Sequence, residues 1–228
     1  MVVSSFCPTA PATDDDTNRV KLASAVTADA KDISDRLNRS LDAFVAGNRR
    51  GAEFELLKLS SIVHDAAQHQ TEGSRMRLNA SVASMRQLAG KIQDRSVKSE
   101  SELRHALAAI HLDMAVHHTN ECQNCLKHSE TESGQSRQHL GRGLSEGLIH
   151  YEEAGRFAGQ KLESATRQGL TRVRETAQKF RDGATNSVAD AGHAVHWLGI
   201  EIRELAKSGR IGIAPPPEES LLLPSLLR

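Results

Sequence analysis

Between Ala12 and Ala214 the chain runs 203 residues without a proline, and all six prolines lie outside that stretch, at 8, 11, 215, 216, 217 and 224. A proline inside a helix costs about 3 kcal/mol, so this spacing permits long uninterrupted helices. The apolar residues turn permission into expectation. Val26, Ala30, Ile33, Leu37, Leu41 and Phe44 recur at helical steps, the mark of one buried face. Aromatics make up only 3% of the chain, too few for most sandwiches or barrels. The class expected is all-α: an elongated antiparallel bundle, coiled-coil-like, of four to five long helices between disordered terminal tails. A helix of about 45 residues would be roughly 68 Å long, which forces side-by-side packing.

Local signals divide the chain. Residues 1–13 read as a disordered tail, and 14–130 as a hairpin bundle of about three helices. Acidic Asp14–Asp16 suits the first helix's N-terminus, and Gly47-Asn48 its end. A stripe from Phe54 to Ile92 follows, with Gly73 as a candidate break. Ser99 and Glu102 form a capping box ahead of Leu103, Leu107, Ile110 and Met114. Residues 136–209 read as a Gly/Ala-rich amphipathic helix pair: one long face from Leu140 to Phe180, then a helix opened by Ser187 and Asp190 and closed at Ser208-Gly209. Residues 210–228 read as a Pro-rich linker and a Leu-rich tail.

Charge narrows the partners. Twenty-nine basic and 29 acidic side chains balance, so nothing in the global charge favours nucleic acid or an anionic membrane. Arg156–Arg181 is locally basic, yet apart from Phe157 and Phe180 at its two ends it lacks the interleaved aromatics of a single-strand binder. Sequence-specific nucleic-acid binding is not expected; that basic helix would suit peripheral membrane contact, which the sequence does not require. Met1–Thr13 has no basic start or apolar core of a Sec signal, and three cysteines make no disulfide framework. A cytoplasmic protein is expected, with a non-Sec route open to it.

The chemistry-bearing residues concentrate in one segment. His111, Met114, His117, His118, Glu121, Cys122, Cys125 and His128 fall within 18 residues. On a helix, His111, His118, Cys122 and Cys125 share a face, and imidazole and sulfur suit zinc, copper or haem iron. A neighbouring helix could add His64, His69, His139 or His150. The competing reading makes the cysteines a continuation of the apolar seam, since free cysteine packs as a small hydrophobe. No GxSxG, Walker, GxGxxG or HExxH pattern occurs, so an enzyme is not expected and no cofactor is demanded beyond a metal or haem in that cluster.

A second feature is a seam of small residues. Gly143 and Gly147, Ala154 and Ala158, Gly155 and Gly159, and Ala165 and Gly169 repeat at four-residue spacing, which lets helix backbones approach closely. The leading expectation is therefore a non-enzymatic interaction or scaffold protein, binding a protein partner or itself through Gly155, Ala158, Gly159, Leu162, Trp197, Leu223 and Leu226. Two short resemblances extend the choices. Leu221–Arg228 is similar to the cargo-loading tails of encapsulin-associated proteins, which would imply a compartment cargo, often a redox protein. Trp197-Leu-Gly-Ile-Glu201 resembles the WxxxE element of bacterial effectors that activate host small GTPases, which would imply an injected protein.

Overall fold

A computed structural model describes residues 29–128, 134–161, 163–183, 188–209 and 211. Among them are seven helices and no strand: α1 (Ala30–Val45), α2 (Arg49–Ala67), α3 (Glu72–Gln93), α4 (Glu100–His128), α5 (Gly134–Phe157), α6 (Ser164–Arg181) and α7 (Val188–Ser208). No helix among the described residues is long and apolar enough to cross a membrane. The readings placed on Met1–Thr13, Leu162, Ser187, Leu223 and Leu226 lie outside the described residues.

The helix starts follow from local chemistry. Asp29 Oδ1 accepts from the Lys31 amide at 3.0 Å, and Asn48 Oδ1 accepts from Gly51 at 2.9 Å, each satisfying an orphan donor of a first turn. Gly47, at φ 77°, supplies the left-handed residue that ends α1. At α4 the Glu102 amide donates to Ser99 Oγ at 3.1 Å. The reciprocal bond to Glu102 Oε2 comes from the Lys98 amide at 2.9 Å, one residue before the amide that the sequence pattern favours.

The described residues alone hold seven helices in place of the expected four to five long ones, running from 16 residues in α1 to 29 in α4. The unbroken face from Leu140 to Phe180 is split: Gly159 takes φ 68° and the chain turns, so Leu140–Phe157 lines α5 while Leu170–Phe180 lines α6. Both halves bury the same kind of stripe, and so the periodicity carries across the turn. The stripe from Phe54 to Ile92 breaks at Gln68–Thr71, and Gly73 sits in the first turn of α3. Apolar spacing records which face is buried but is blind to where the chain reverses.

The packing places α4 and α5 at the centre. α4 touches α1, α3, α5 and α7, and α5 touches α1, α4, α6 and α7. Every residue from Met114 to Thr119 is consequently buried, a full helical turn and more. A helix enclosed on all sides is ordinarily apolar all round. This one encloses histidines.

Candidate metal centre

Four histidines meet where α4 crosses α5: His111, His117 and His118 from α4, and His150 from α5, all buried. The small seam residues of α5 make room for them. Gly147 faces the His118 Cβ, and a Cβ added at Gly143 would come within 2.7 Å of the Cys122 sulfur. The imidazoles form a row. His118 stacks on His150 with centroids 5.6 Å apart and planes 11° apart. His150 Nδ1 lies 2.9 Å from His111 Nδ1, and His111 stacks on Phe157 at 5.3 Å. In that nitrogen pair one ring must donate and the other accept, so the two histidines are opposite tautomers.

At the other end of the row the histidines meet carboxyl groups. His117 Nε2 is 3.5 Å from Glu121 Oε2. His118 Nδ1 is 3.9 Å from that same oxygen and 3.3 Å from Glu146 Oε2 on α5. The ligand atoms of His117, His118 and Glu121 all lie within 4.8 Å of one another. Ser74 of α3 donates to Glu121 Oε1 at 3.4 Å.

Burial dominates the electrostatics. Desolvation lowers His111 to about 3, with the Arg156 charge adding to the shift, and lowers His118 to about 4. His117 and His150 are pushed well below the usual histidine value, first by desolvation and then by their neighbours. Desolvation raises Glu121 to about 7 against the Ser74 hydrogen bond. It likewise raises Glu146 to about 7, opposed by Arg142 and reinforced by Asp29 and Glu121. The histidines are therefore neutral at pH 7, and their approaches to the carboxyl groups are not ion pairs in the ordinary sense.

Several polar atoms are left over. His111 Nε2, His150 Nε2, His117 Nδ1 and His118 Nδ1 are buried without a hydrogen-bond partner. The 3.3 Å approach of His118 to Glu146 meets a distance limit but not the directionality of a hydrogen bond. Each such atom costs about 1–3 kcal/mol in a folded interior. Two neutral imidazoles converging with carboxylates form the donor set of zinc and of the other divalent first-row metals.

Of the four candidate ligands read from the sequence, only His118 sits in this trio. His111 pairs with His150. Cys122 is buried with its thiol donating to the Leu140 carbonyl at 3.7 Å, and desolvation holds that thiol well above its usual value. Cys125 lines a cleft of about 200 Å³ beside the cluster. Glu146 went unnoticed in the sequence, because only the α4–α5 register brings it opposite His118. Its one available signal was the Glu146–His150 spacing, which puts both on one face of α5.

The expected partner-binding residues disperse. Gly155 is buried in α5, Ala158 packs against the core, and Gly159 is the exposed turn residue. Trp197 of α7 is half-buried against Gly169 of α6, where an added Cβ would lie 2.1 Å from the indole. It lines a cleft of about 560 Å³ between α6 and α7. No protein-family model, curated protein or solved structure matches the chain, so the site's own chemistry carries the functional reading.

Proposed function

We propose that this chain is a helical metal-binding protein that holds one divalent transition-metal ion through His117 Nε2, His118 Nδ1 and Glu121 Oε2, with Glu146 Oε2 as a fourth donor. The supporting observation is the convergence of His117, His118 and Glu121 within 4.8 Å of one another, with Glu146 3.3 Å from His118, at a place where one proposed ligand atom, His118 Nδ1, lacks a hydrogen-bond partner. Two bonds of about 2.1 Å at a tetrahedral angle place their donor atoms roughly 3.4 Å apart. The separations of 3.5, 3.9 and 3.3 Å approach that spacing. A cavity of about 30 Å³ touches His117, His118 and Glu121, above the roughly 10–15 Å³ needed to hold one water. A dication would also supply positive charge to the two half-buried carboxylates.

Elemental analysis of protein purified without chelator, followed by zinc titration of stripped protein, tests the reading. One equivalent per chain is expected, with a rise in melting temperature, because a ligand of the native state must stabilise it. His117→Ala and His118→Ala should each lose most of that metal. Protein that binds none and melts unchanged with added zinc, cobalt or iron would overturn it.

A second reading, a protein-interaction role, is favoured by one observation: a cleft of about 560 Å³ between α6 and α7 has Trp197 in its wall, and tryptophan is enriched at binding hot spots. Trp197→Ala should then weaken capture of a partner, or shift the mass measured by light scattering if the partner is a second copy. In either reading the bundle is elongated and antiparallel, and small-angle scattering with an axial ratio near a sphere's would contradict that shape.

A further inference from the structure

The cavity of about 30 Å³ has more in its wall than His117, His118 and Glu121. Ile33, Val63, Ala66 and Leu78 line it too, all buried and aliphatic, together with Gln70 and Met114. Glu146 does not border it; that carboxyl approaches His118 from elsewhere, at 3.3 Å. Met114 stands three residues before His117, four before His118 and seven before Glu121, so all four share one face of α4. It is buried, and its thioether is the one soft donor among the residues that line this cavity.

From this we infer that the ion the site takes is copper, with the Met114 thioether as a fifth, long contact from the cavity side. The inference rests on the metal reading above and leaves its four donors in place. Two imidazoles and two carboxylates suit tetragonal copper(II), which also heads the affinity order of the divalent first-row metals. That order would favour copper at almost any such site. Met114 adds what the order does not, because soft sulfur is a ligand of copper(I). When copper(II) accepts one electron and becomes copper(I), the carboxylates lose their hold and the thioether gains its own. Methionine is unbranched and has three rotatable bonds, so its sulfur can enter so small a void without a backbone shift. The aliphatic lining keeps solvent from that side, and a dry shell of this kind tunes the potential of a bound metal. Gln70 offers only a hard amide oxygen, which does not favour copper(I).

Copper itself is the probe. The full chain carries Cys7→Ser, Cys122→Ala and Cys125→Ser, so that no thiolate competes for copper(I). Copper(II) affinity is read by competition with a chelating dye, and copper(I) affinity in the same way after ascorbate has supplied the electron. Each ion should bind at one equivalent. Met114→Leu keeps the core volume; it should weaken copper(I) about tenfold and leave copper(II) within about twofold. That tenfold change lowers the potential of the one-electron couple by about 59 mV. Equal weakening of both ions would reduce Met114 to packing and overturn the inference. So would copper(I) affinity unchanged in Met114→Leu, or a chain that holds zinc but not both states of copper; these outcomes leave the metal reading standing. A chain that binds neither zinc nor copper overturns both.

Discussion

The α1–α3 layer and the α4–α5 pair bury polar side chains in different ways. In α1 and α2, Ser40 donates to the Ala52 carbonyl at 2.9 Å and Ser60 to the Leu57 carbonyl at 2.7 Å; Ser34 Oγ is the exception without a partner. Such hydroxyls are small, uncharged and satisfied by backbone, so they belong to packing. In α4 and α5 Thr119 still follows that pattern, donating to the Ala115 carbonyl at 2.7 Å, but four buried residues are imidazoles set against half-buried carboxyls, and four ring nitrogens go without hydrogen bonds. The difference separates polarity that a fold absorbs from polarity that a fold tolerates for some other reason. Replacing unmet polar groups with apolar ones of similar shape should improve stability in the second region, and in the first only at Ser34.

That contrast can be broken by mutation. The largest effect expected is an ordinary core truncation in the first region. Leu56 is fully buried, and Leu56→Ala should cost about 2–5 kcal/mol in chemical denaturation. A loss below about 1 kcal/mol would mean the α1–α3 layer is loosely packed and the comparison has no fixed end.

In the second region, His111→Ala should cost about 1–3 kcal/mol by orphaning the His150 nitrogen. The paired change His111→Leu with His150→Leu should cost less than the single one, or raise the melting temperature, because it removes both unmet ring nitrogens. Equal losses would show the histidine pair to be satisfied packing after all. The pair also carries a pH signature. His111 is depressed to about 3 by desolvation, with the Arg156 charge behind it and His150 against it. Its neutral form is favoured in the folded chain, so its contribution is present above about pH 6.5 and is lost as pH falls toward 3. Asp113 opposes this: burial raises it to about 6 despite the Arg77 charge, so its contribution fades as pH rises from about 4 through 6. Melting curves from pH 7 to 4 should therefore fall less steeply in the double-leucine variant than in the parent.

A smaller effect concerns the seam. At Gly143 an added Cβ would press on the Cys122 sulfur. Gly143→Ala should cost about 1–2 kcal/mol, overpacking offset in part by alanine's helix propensity. Cys122→Ala in the same chain should recover most of it, and additive losses would show that the two residues do not share that space. The smallest change is expected at Phe54, which is 60% exposed on α2. Phe54→Ser should move stability by no more than about 0.5 kcal/mol, and a larger loss would reveal a surface that something covers.

The all-helical class was legible because helical spacing of Leu and Ala stripes is a local property. So were the boundaries set by side-chain chemistry, at Gly47-Asn48, Ser99 and Ser208-Gly209. The reversal at Gly159 was not, since a stripe continues in phase when two helices bury the same face. The site divides along the same line. The His/Cys/Glu richness of residues 111–125 is visible in one dimension, and so is the helical adjacency of His117 and Glu121. Which of those residues converge depends on how α5 lies against α4. That register placed Glu146 opposite His118 and turned His111 away toward His150.

The enclosure of α4 by four other helices has a consequence for how the chain breathes. Amides of the Met114–Thr119 stretch, buried at every residue, exchange with solvent only when the neighbouring helices open too, so this stretch and the part of α5 against it should exchange hydrogen as one slow unit, behind the exposed flanks of α6 and α7. An ion held between α4 and α5 would deepen protection in that unit. At a hundredfold excess over the dissociation constant the added protection would reach about 2.7 kcal/mol. Read peptide by peptide by mass spectrometry, that increment would fall on the stretches around His117 and Glu146, so the exchange map locates the ion without any spectroscopic handle.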